Sequence, residues 1–413
     1  MNFDDTKEEA AFRAEANAWL SQRAKPRRAT DERNLAELEN GASPEMAAAK
    51  AWQKEKAEAG FARITWPTGM GGIGGTPMQS IIFSQEEGKF DVPTSSPFVI
   101  GLGMCIPTLM TYGSEEANKR YVWPAVCGDE IWCQLFSEPA GGSDVAGLRT
   151  QAEKQGDEWV INGQKVWTTG AHYSDFGILL TRTDPDVPKH KGLTMFYIDM
   201  RAPGVEARPI KQASGGSGFN EVFFTDLRVK DSQRLGDVGQ GWSVALTTLM
   251  HERLAVGGGT GSSLDVRELI GLARTLELED GPAISNAAAR DKIADWYVRS
   301  AGLKYTTYRT MTALSRGEKP GPEASIGKVV MASKRQDLTA FALELLGESG
   351  VLSGETAPAG GVFQMGWVSS PGLRIAGGTD EILRNIIAER VLGLPQDVRV
   401  DKDVPFNKIP TGR

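Results

Sequence analysis

The chain has 413 residues, 40% of them hydrophobic, so it is long enough to form more than one hydrophobic core. Acidic residues outnumber basic ones, 53 against 46, and the sequence has no run rich in Lys and Arg, which argues against nucleic-acid binding. The longest apolar stretch, residues 97–110, contains Gly and Pro and is too short to cross a bilayer, so no membrane partner is expected. These features fit a protein of several domains with small organic ligands.

The N-terminal sequence, MNFDDTKEEAAF, is acidic and lacks the basic and apolar blocks of a targeting peptide, so a cytoplasmic location is expected. The three cysteines, Cys105, Cys127 and Cys133, do not have the spacing of metal ligands, and the histidines are scattered. We therefore predict no metal site. The cysteines are expected to be reduced, buried and small apolar residues.

The first helix is predicted close to the N-terminus. Thr6 and Glu9 have the spacing of a capping box, and Phe12, Ala16, Trp19 and Leu20 then recur on one helical face. Helical and loop segments continue to about residue 130. The first part of the chain is therefore predicted to be helical.

The pattern changes to β structure from Gln134 onward. Residues 159–161 and 164–169 are predicted to be two strands joined by a tight turn at Asn162-Gly163. Residues 219–229, FNEVFFTDLRV, are a further predicted strand because they are rich in aromatic and β-branched side chains. A β domain is therefore predicted in the middle of the chain.

Helical patterns return after the Gly-rich turn at 236–241. Apolar residues recur at helical spacing over 264–273 and over 293–301, and the run is then broken at Pro320-Gly321-Pro322. A further helix is expected after that break. The third part of the chain is therefore predicted to be helical again.

The last predicted helix begins at Thr379-Asp380-Glu381, has Ile382 and Ile386 on its apolar side, and ends near Gly393. The fold class is therefore predicted to be α+β with several domains. We expect a helical domain over residues 1–130, a β domain over residues 131–235 and a helical domain over residues 236–413.

The sequence GMGGIG at 69–74 formally matches a dinucleotide-binding motif. It follows Arg63-Ile64-Thr65-Trp66-Pro67, which ends in a proline, and no helical periodicity opens directly after it. A Gly-rich surface loop is therefore the preferred interpretation. NAD is not expected.

Two segments carry the chemical information. Residues 134–147 (QLFSEPAGGSDVAG) are predicted to be a strand that runs into a small-residue loop with exposed backbone amides and hydroxyls. About twenty residues later follows NGQKVWTT at 162–169. Such a surface suits a flat, polar heterocycle, although either segment alone would be an ordinary strand and turn.

Together, the two segments closely resemble the signature of the acyl-CoA dehydrogenase family, typically TEPGAGSD followed by NGxKxWIT. The resemblance extends over nearly the whole chain, as far as RVDKDVPF at 399–406. It implies an N-terminal helical domain, a central β-barrel-like domain and a C-terminal four-helix bundle. It also implies an FAD-dependent enzyme of β-oxidation type that converts an acyl-CoA thioester to the 2-enoyl-CoA.

The resemblance also implies the cofactor contacts. The flavin ring would lie against two β segments, with the Trp167 side chain stacked over it, and Ser143 would contact the CoA portion or the flavin phosphates. A segment like the family's QxxGG, with Glu344 in place of glutamine, would reach the FAD of a partner subunit, and a helix N-terminus would meet the FAD adenosine. The cofactor residues implied are Gln134, Leu135, Phe136, Ser137, Gly142, Ser143, Trp167, Thr168, Thr169, Glu344, Gly347, Thr379 and Glu381.

The resemblance also implies a catalytic glutamate, and the sequence lacks it at its commonest position. Many members carry it as the glutamate of YEGT, but the aligned residues here are Ala376-Gly377-Gly378-Thr379. Branched-chain and some long-chain members carry the base on an earlier helix instead, in a motif such as LERLVLAGG, and Glu252 in MHERLAVGG matches that position. A Glu-Arg pair on a solvated helix face is the alternative interpretation.

Other substrate contacts follow from the same resemblance. Arg253 and Ser143 would bind the CoA end, and Gly378 is expected to be a further substrate-binding residue. The backbone N–H of Gly377 would help to hydrogen-bond the thioester carbonyl, which stabilises the enolate-like charge formed during proton removal. The small residues Ala376 and Gly377, together with the Gly- and Pro-rich segment from Gly347 to Gly378, would leave room for a bulky or branched acyl group.

The partners implied are an acyl-CoA, an electron-transfer flavoprotein and other subunits. Many members carry RxxFG for the FAD of a neighbouring subunit, but residues 276–289 (LELEDGPAISNAAA) contain neither the arginine nor the phenylalanine. The protein is therefore expected to be a homotetramer or a heterotetramer with a related chain. An acyl-CoA oxidase, a flavin monooxygenase of the same fold and a subunit that only completes a partner's FAD site remain alternatives.

Overall fold

The computed structural model describes residues 5–27, 43–257, 264–315, 321, 324–352 and 354–410. Its α-helices, in chain order, are α1 Lys7–Ser21, α2 Pro44–Glu58, α3 Pro77–Glu87, α4 Ile106–Tyr112, α5 Glu115–Cys127, α6 Gly241–Gly257, α7 Val266–Thr275, α8 Ala287–Ser315, α9 Ala324–Leu346, α10 Val362–Ile375 and α11 Asp380–Arg390. Its strands are β1 Lys25–Pro26, β2 Phe90–Asp91, β3 Trp132–Leu135, β4 Gln151–Gln155, β5 Glu158–Thr169, β6 Phe176–Arg182, β7 Leu193–Asp199, β8 Val205–Pro209, β9 Phe219–Lys230, β10 Arg234–Leu235, β11 Glu277–Leu278 and β12 Gly281–Pro282.

The chain divides into two compact units. A helical unit consists of Met1–Ala36, Thr76–Asp91 and Val256–Pro395, and a sheet unit consists of Glu37–Gly75, Val92–Ala255 and Gln396–Arg413. The order of helices, sheet and helices confirms the predicted α+β class, whereas the three domain boundaries remain predictions. Among the helices that the structure describes, none combines the length and apolarity needed to span a bilayer.

The sheet unit is organised around an eight-stranded sheet with the order β10-β7-β6-β4-β5-β9-β8, in which β3 also pairs with β6. Successive side chains of a strand point to opposite faces, so β6 contributes to two cores. Ile178 and Leu180 join the core that contains α4 and α5, and Leu179 joins a second core with Trp159 and Phe196. Both faces of the sheet are therefore covered.

The predicted hairpin at Asn162-Gly163 is wrong, because residues 158–169 form the single long strand β5. The turn lies instead at Gly156-Asp157, between β4 and β5, where Gly156 has a φ of +64°. At Gly163 the pairing of β5 with β9 shifts register, which is the mark of a β-bulge. A Cβ atom at Gly163 would lie 2.6 Å from Thr150 Oγ1 and 2.7 Å from the Thr150 backbone, so the close approach of β5 to the residue before β4 requires glycine.

The helical unit follows the predicted patterns closely. Thr6 and Glu9 form the predicted capping box at α1, whose buried positions are Phe12, Ala16 and Leu20, while Trp19 on the predicted face is only partly buried. A separate core unites α7, α8 and α9, of which the first two were predicted from their apolar spacing and the third as a further helix after the break at 320–322. On α11 the buried apolar residue is Leu383 and Ile382 is exposed, so that helix presents a different face from the one predicted.

The three cysteines and the Gly-rich loop behave as predicted. Cys105, Cys127 and Cys133 are free and buried, and burial raises the pKa of the Cys133 thiol to about 12. Residues 68–70 form a 3₁₀ turn and residues 71–76 continue as a loop to the start of α3. The GMGGIG sequence therefore lies in a loop and not at a strand-to-helix junction.

Candidate active site

The sheet unit brings together the two segments that carry the signature. The backbone N–H of Val166 donates a hydrogen bond to the carbonyl oxygen of Ser137 at 2.9 Å. The Lys165 ammonium donates to the carbonyl oxygen of Phe136 at 3.0 Å. Residues 134–137 and 167–169, both predicted to contact the flavin, are therefore neighbours at one end of β3 and β5.

Trp167 has an unusual backbone conformation and an unusual exposure. Its φ of +60° lies in the left-handed region, which a bulky side chain rarely occupies, and its side chain is 58% exposed. Between Lys165 and Thr168 the register of β5 against β9 shifts, so Trp167 lies on a β-bulge. The bulge directs the indole away from the core, and strain of this kind is concentrated at functional sites.

Thr168 carries an unsatisfied polar atom. Its side chain is buried, and its hydroxyl oxygen makes no hydrogen bond to any residue that the structure describes. Its carbonyl oxygen, in contrast, accepts a hydrogen bond from the Asn220 amide. Buried polar groups are normally paired, so an exposed indole beside an unpaired hydroxyl fits a surface that a polar ring system would complete.

An ion pair under this surface was missed by the sequence analysis. Lys165 and Glu138 are buried with 2.8 Å between the ammonium and the carboxylate, which also accepts the backbone N–H groups of Arg149 and Thr150. Burial alone would raise the pKa of Glu138, but the charge of Lys165 and the hydrogen bonds lower it below the ordinary value. Burial lowers the pKa of Lys165 to about 8, so the pair is still ionic at neutral pH. The sequence does contain a signal for this ion pair, because each signature segment carries one of its charged residues, Glu138 in the first and Lys165 in the second.

The loop after β3 is exposed at its tip and fixed at its base. Gly142 and Ser143 are exposed. The buried Arg182 guanidinium donates to the carbonyl oxygens of Ala146 at 2.6 Å and Leu148 at 3.0 Å. Burial lowers the pKa of Arg182 to about 10, so the side chain remains charged at neutral pH.

The C-terminal segment 396–410 fastens onto the same region of the sheet unit. The Phe406 ring packs against the Arg182 guanidinium, whose central carbon lies 3.5 Å from the ring centroid. Lys189 bridges the exposed loop and this segment, at 2.9 Å from Asp144 and 2.6 Å from Asp401. The segment therefore braces the loop that carries Ser143.

In the helical unit, a glycine turn precedes α11. Gly377 and Gly378 have φ values of +66° and +90°, so both adopt a conformation that favours glycine. Thr379 caps the helix by accepting the backbone N–H of Ile382 at 3.2 Å. The predicted helix N-terminus is thus present, and the position of the usual glutamate is a left-handed glycine.

Charged side chains from α9, α10 and α11 form ion pairs and a hydrogen bond at this turn. Asp380 is buried and pairs with Arg374 at 2.7 Å, while Lys328 lies 3.5 Å from its other carboxylate oxygen. The Lys328 ammonium also donates a hydrogen bond to the carbonyl oxygen of Gly378 at 2.7 Å. Neither cation was singled out from the sequence.

The remaining predicted residues fall into two groups. Glu344 and Gly347 are exposed at the C-terminal end of α9, where the Glu344 carboxylate lies 3.9 Å from Lys292. Glu252 and Arg253 belong to helix α6, but the structure does not describe their side chains. Their roles stay predictions.

Three family models match the chain consecutively. They are the N-terminal domain of acyl-CoA dehydrogenase over residues 6–129, the middle domain over 133–227 and the C-terminal domain over 239–392. The chain therefore belongs to the acyl-CoA dehydrogenase family of flavin-dependent oxidoreductases.

Individual relatives agree with this assignment. Acyl-CoA dehydrogenase FadE34 of Mycobacterium tuberculosis is 36% identical over 88% of this chain, and the chain spans half the length of that protein. Acyl-CoA dehydrogenase IpdE1 of the same organism is 34% identical over 85% of this chain and 89% of its own length. The solved structure named Tcur3481-Tcur3483 steroid ACAD has a TM-score of 0.78 at 25% identity, and covers 96% of this chain and 100% of its own.

Proposed function

We propose that the chain binds FAD and desaturates an acyl-CoA thioester between its α and β carbons. The observation that carries the proposal is the strained, exposed Trp167 on a β-bulge next to the unpaired hydroxyl of Thr168. Residues 134–137 and 167–169 hold the flavin ring, and Gly142 and Ser143 meet phosphates through exposed polar groups. When bound, FAD supplies the acceptor for the hydride that leaves the β carbon.

Glu252 acts as the base in this proposal. The α hydrogen of a thioester is weakly acidic, so its removal requires a positioned base whose pKa is matched to the task. The aligned position of the more common base is Gly377, whose positive φ is unfavourable for a glutamate. Glu252 therefore takes the α proton, and the neighbouring Arg253 binds the CoA end.

The backbone N–H of Gly377 stabilises the charge that develops on the thioester oxygen. A donor fixed in advance costs no reorganisation when the proton leaves, so its contribution is made in the transition state. Thr379 and Glu381 lie at the capped N-terminus of α11, where free backbone amides suit an anionic cofactor.

The acyl group is proposed to be bulky, in the class of steroid side chains. Support comes from Ala376-Gly377-Gly378, which presents no large side chain, and from the steroid ACAD to which the chain is similar. Electrons are proposed to pass to an electron-transfer flavoprotein, as membership of the family suggests.

The proposed assembly is a heterotetramer with a related chain. Support comes from the absence of RxxFG between residues 276 and 289 and from the two-part name of that similar structure. Exposed Arg274 and Arg290 are alternative cations for the FAD of a partner, which would make a homotetramer sufficient. Solution mass with a flavin-to-chain ratio separates the two, since a lone homotetramer with one FAD per chain contradicts the need for a partner.

Anaerobic titration of the purified protein with a panel of linear, branched and steroid-side-chain acyl-CoAs tests the reaction. Loss of flavin absorbance with one class identifies the substrate class, and no loss with any of them contradicts the proposal. Admitting air afterwards separates the alternatives, because an oxidase or monooxygenase reoxidises quickly while a dehydrogenase waits for its flavoprotein acceptor.

A further inference from the structure

The turn at Gly377-Gly378 combines a flexible sequence with the need for a fixed hydrogen-bond donor. Two consecutive glycines are the most permissive backbone in a chain, yet a transition-state donor must be fixed before the reaction. On its N-terminal side the turn is held by the backbone N–H of Ala376, which donates to the carbonyl oxygen of Gly372 at 2.8 Å. On its C-terminal side the chain is fixed at Thr379, which caps α11, so the carbonyl oxygen of Gly378 is the group within the turn that a further anchor can hold.

We infer that Lys328 is a positioning residue that supplies this anchor and so orients the Gly377 N–H toward the thioester oxygen. Its ammonium hydrogen-bonds the carbonyl oxygen of Gly378 at 2.7 Å, directly after the donor. The Lys328 side chain is only 11% exposed, whereas Gly378, at the other end of the hydrogen bond, is exposed. The inference rests on the proposed function.

Asp380 explains why the ammonium stays in place. The Lys328 ammonium lies 3.5 Å from one oxygen of this buried carboxylate, and the other oxygen is held by Arg374 at 2.7 Å. Arg374 is itself tied to the Gln336 amide oxygen on α9 at 3.1 Å. The Asp380 carboxylate, the two cations and the Gly378 carbonyl form one connected network. Gly377 has no side chain of its own to hold it, and it directly precedes the residue that this network fixes.

The chain offers a matched control on the same helix. Lys334 is another buried lysine of α9 in an ion pair, at 2.6 Å from Asp265, and it also bonds the Ser300 hydroxyl at 2.6 Å. Lys334→Met should therefore cost stability much as Lys328→Met does, without touching the glycine turn. Any effect shared by the two variants is a structural one.

The readout is enolisation of acetoacetyl-CoA on the flavin-loaded protein, followed by enolate absorbance across pH. Donors on the carbonyl oxygen stabilise the enolate, so the wild type should lower the apparent pKa of the bound ligand. In Lys328→Met that pKa should rise by about one to two units, with a loss of kcat of about tenfold to hundredfold and little change in acyl-CoA affinity. Lys334→Met should match the wild type.

Lys328→Arg should recover part of the effect because it keeps a cationic donor, and Lys328→Gln serves as a second loss variant if methionine prevents folding. If the enolisation pKa in Lys328→Met and Lys328→Gln equals that in Lys334→Met, the proposed role of Lys328 is overturned, while the proposed function of the chain is not. A wild type that neither enolises acetoacetyl-CoA nor responds to any acyl-CoA would overturn the proposed function, and the role of Lys328 with it.

Discussion

The Lys165 ammonium lies 2.8 Å from the Glu138 carboxylate, and both side chains are buried beneath the surface proposed to hold the flavin. Removing one partner leaves an uncompensated buried charge, so Lys165→Met should lower the free energy of unfolding by about 3–5 kcal/mol. Lys119→Met is the control, because its partner Glu115 is at the similar distance of 2.6 Å but both are exposed. Equal denaturation midpoints for the two variants would contradict the prediction.

The same pair predicts the acid limb of the stability curve. The folded-state pKa of Glu138 lies below its ordinary value of 4.5, so its ionised form is favoured by folding. This contribution is present above 4.5 and is lost as the pH falls through the folded-state pKa. Between those two values, unfolding free energies should decline more steeply for the wild type than for Glu138→Gln. Parallel curves would show that the carboxylate is not favoured by folding.

Glu252→Gln should lower kcat by at least ~10²–10⁴-fold, because the amide keeps the shape of the side chain but cannot accept the α proton. Binding of FAD and acyl-CoA should be nearly unchanged. His251→Gln, at the neighbouring position of α6, is the control and should turn over nearly normally. Near-normal turnover by Glu252→Gln in single-turnover measurements removes it from the mechanism.

Trp167 allows a test that separates function from stability. Its ring is mostly exposed and its backbone is left-handed, so Trp167→Gly should be more stable than Trp167→Ala by about 1 kcal/mol in the flavin-free protein. Both variants should nevertheless retain FAD poorly, because each lacks the ring. Equilibrium dialysis of FAD measures this, and wild-type retention by either variant would show that the indole does not face the flavin.

Loss of the C-terminal brace should weaken ligand binding more than catalysis. Phe406→Ala removes the ring from the buried Arg182 guanidinium, an interaction of about 0.5–2 kcal/mol, and should release segment 396–410 to proteases. The KM for acyl-CoA should then rise while kcat changes little. Lys408→Ala, an exposed change in the same segment, is the comparison, and an identical protease pattern and KM for both would contradict the bracing role.

Much of the fold could be predicted from local patterns, because helix caps and apolar spacing operate over a few residues. The capping box at Thr6 and the strand at 219–230 are examples. The turn at Asn162-Gly163 was predicted wrongly because a dipeptide signal is weaker than pairing with β4 and β9 on both sides. In the site, both signature segments were predicted, whereas the Lys328 contact with Gly378 spans 50 residues and leaves no local trace.

The Asn162-Gly163 sequence also bears on how this protein ages. Asparagine followed by glycine is prone to deamidation when the backbone is free, because the glycine nitrogen can then attack the side-chain amide. Here the Asn162 amide donates to the Asp226 carboxylate at 3.0 Å and accepts the Asp226 backbone N–H at 2.9 Å, within a paired strand. In the native state these contacts prevent the geometry in which the Gly163 nitrogen could attack the Asn162 side-chain amide. Isoaspartate at this dipeptide should accumulate only as fast as the sheet opens, so it would record the history of unfolding in a stored sample.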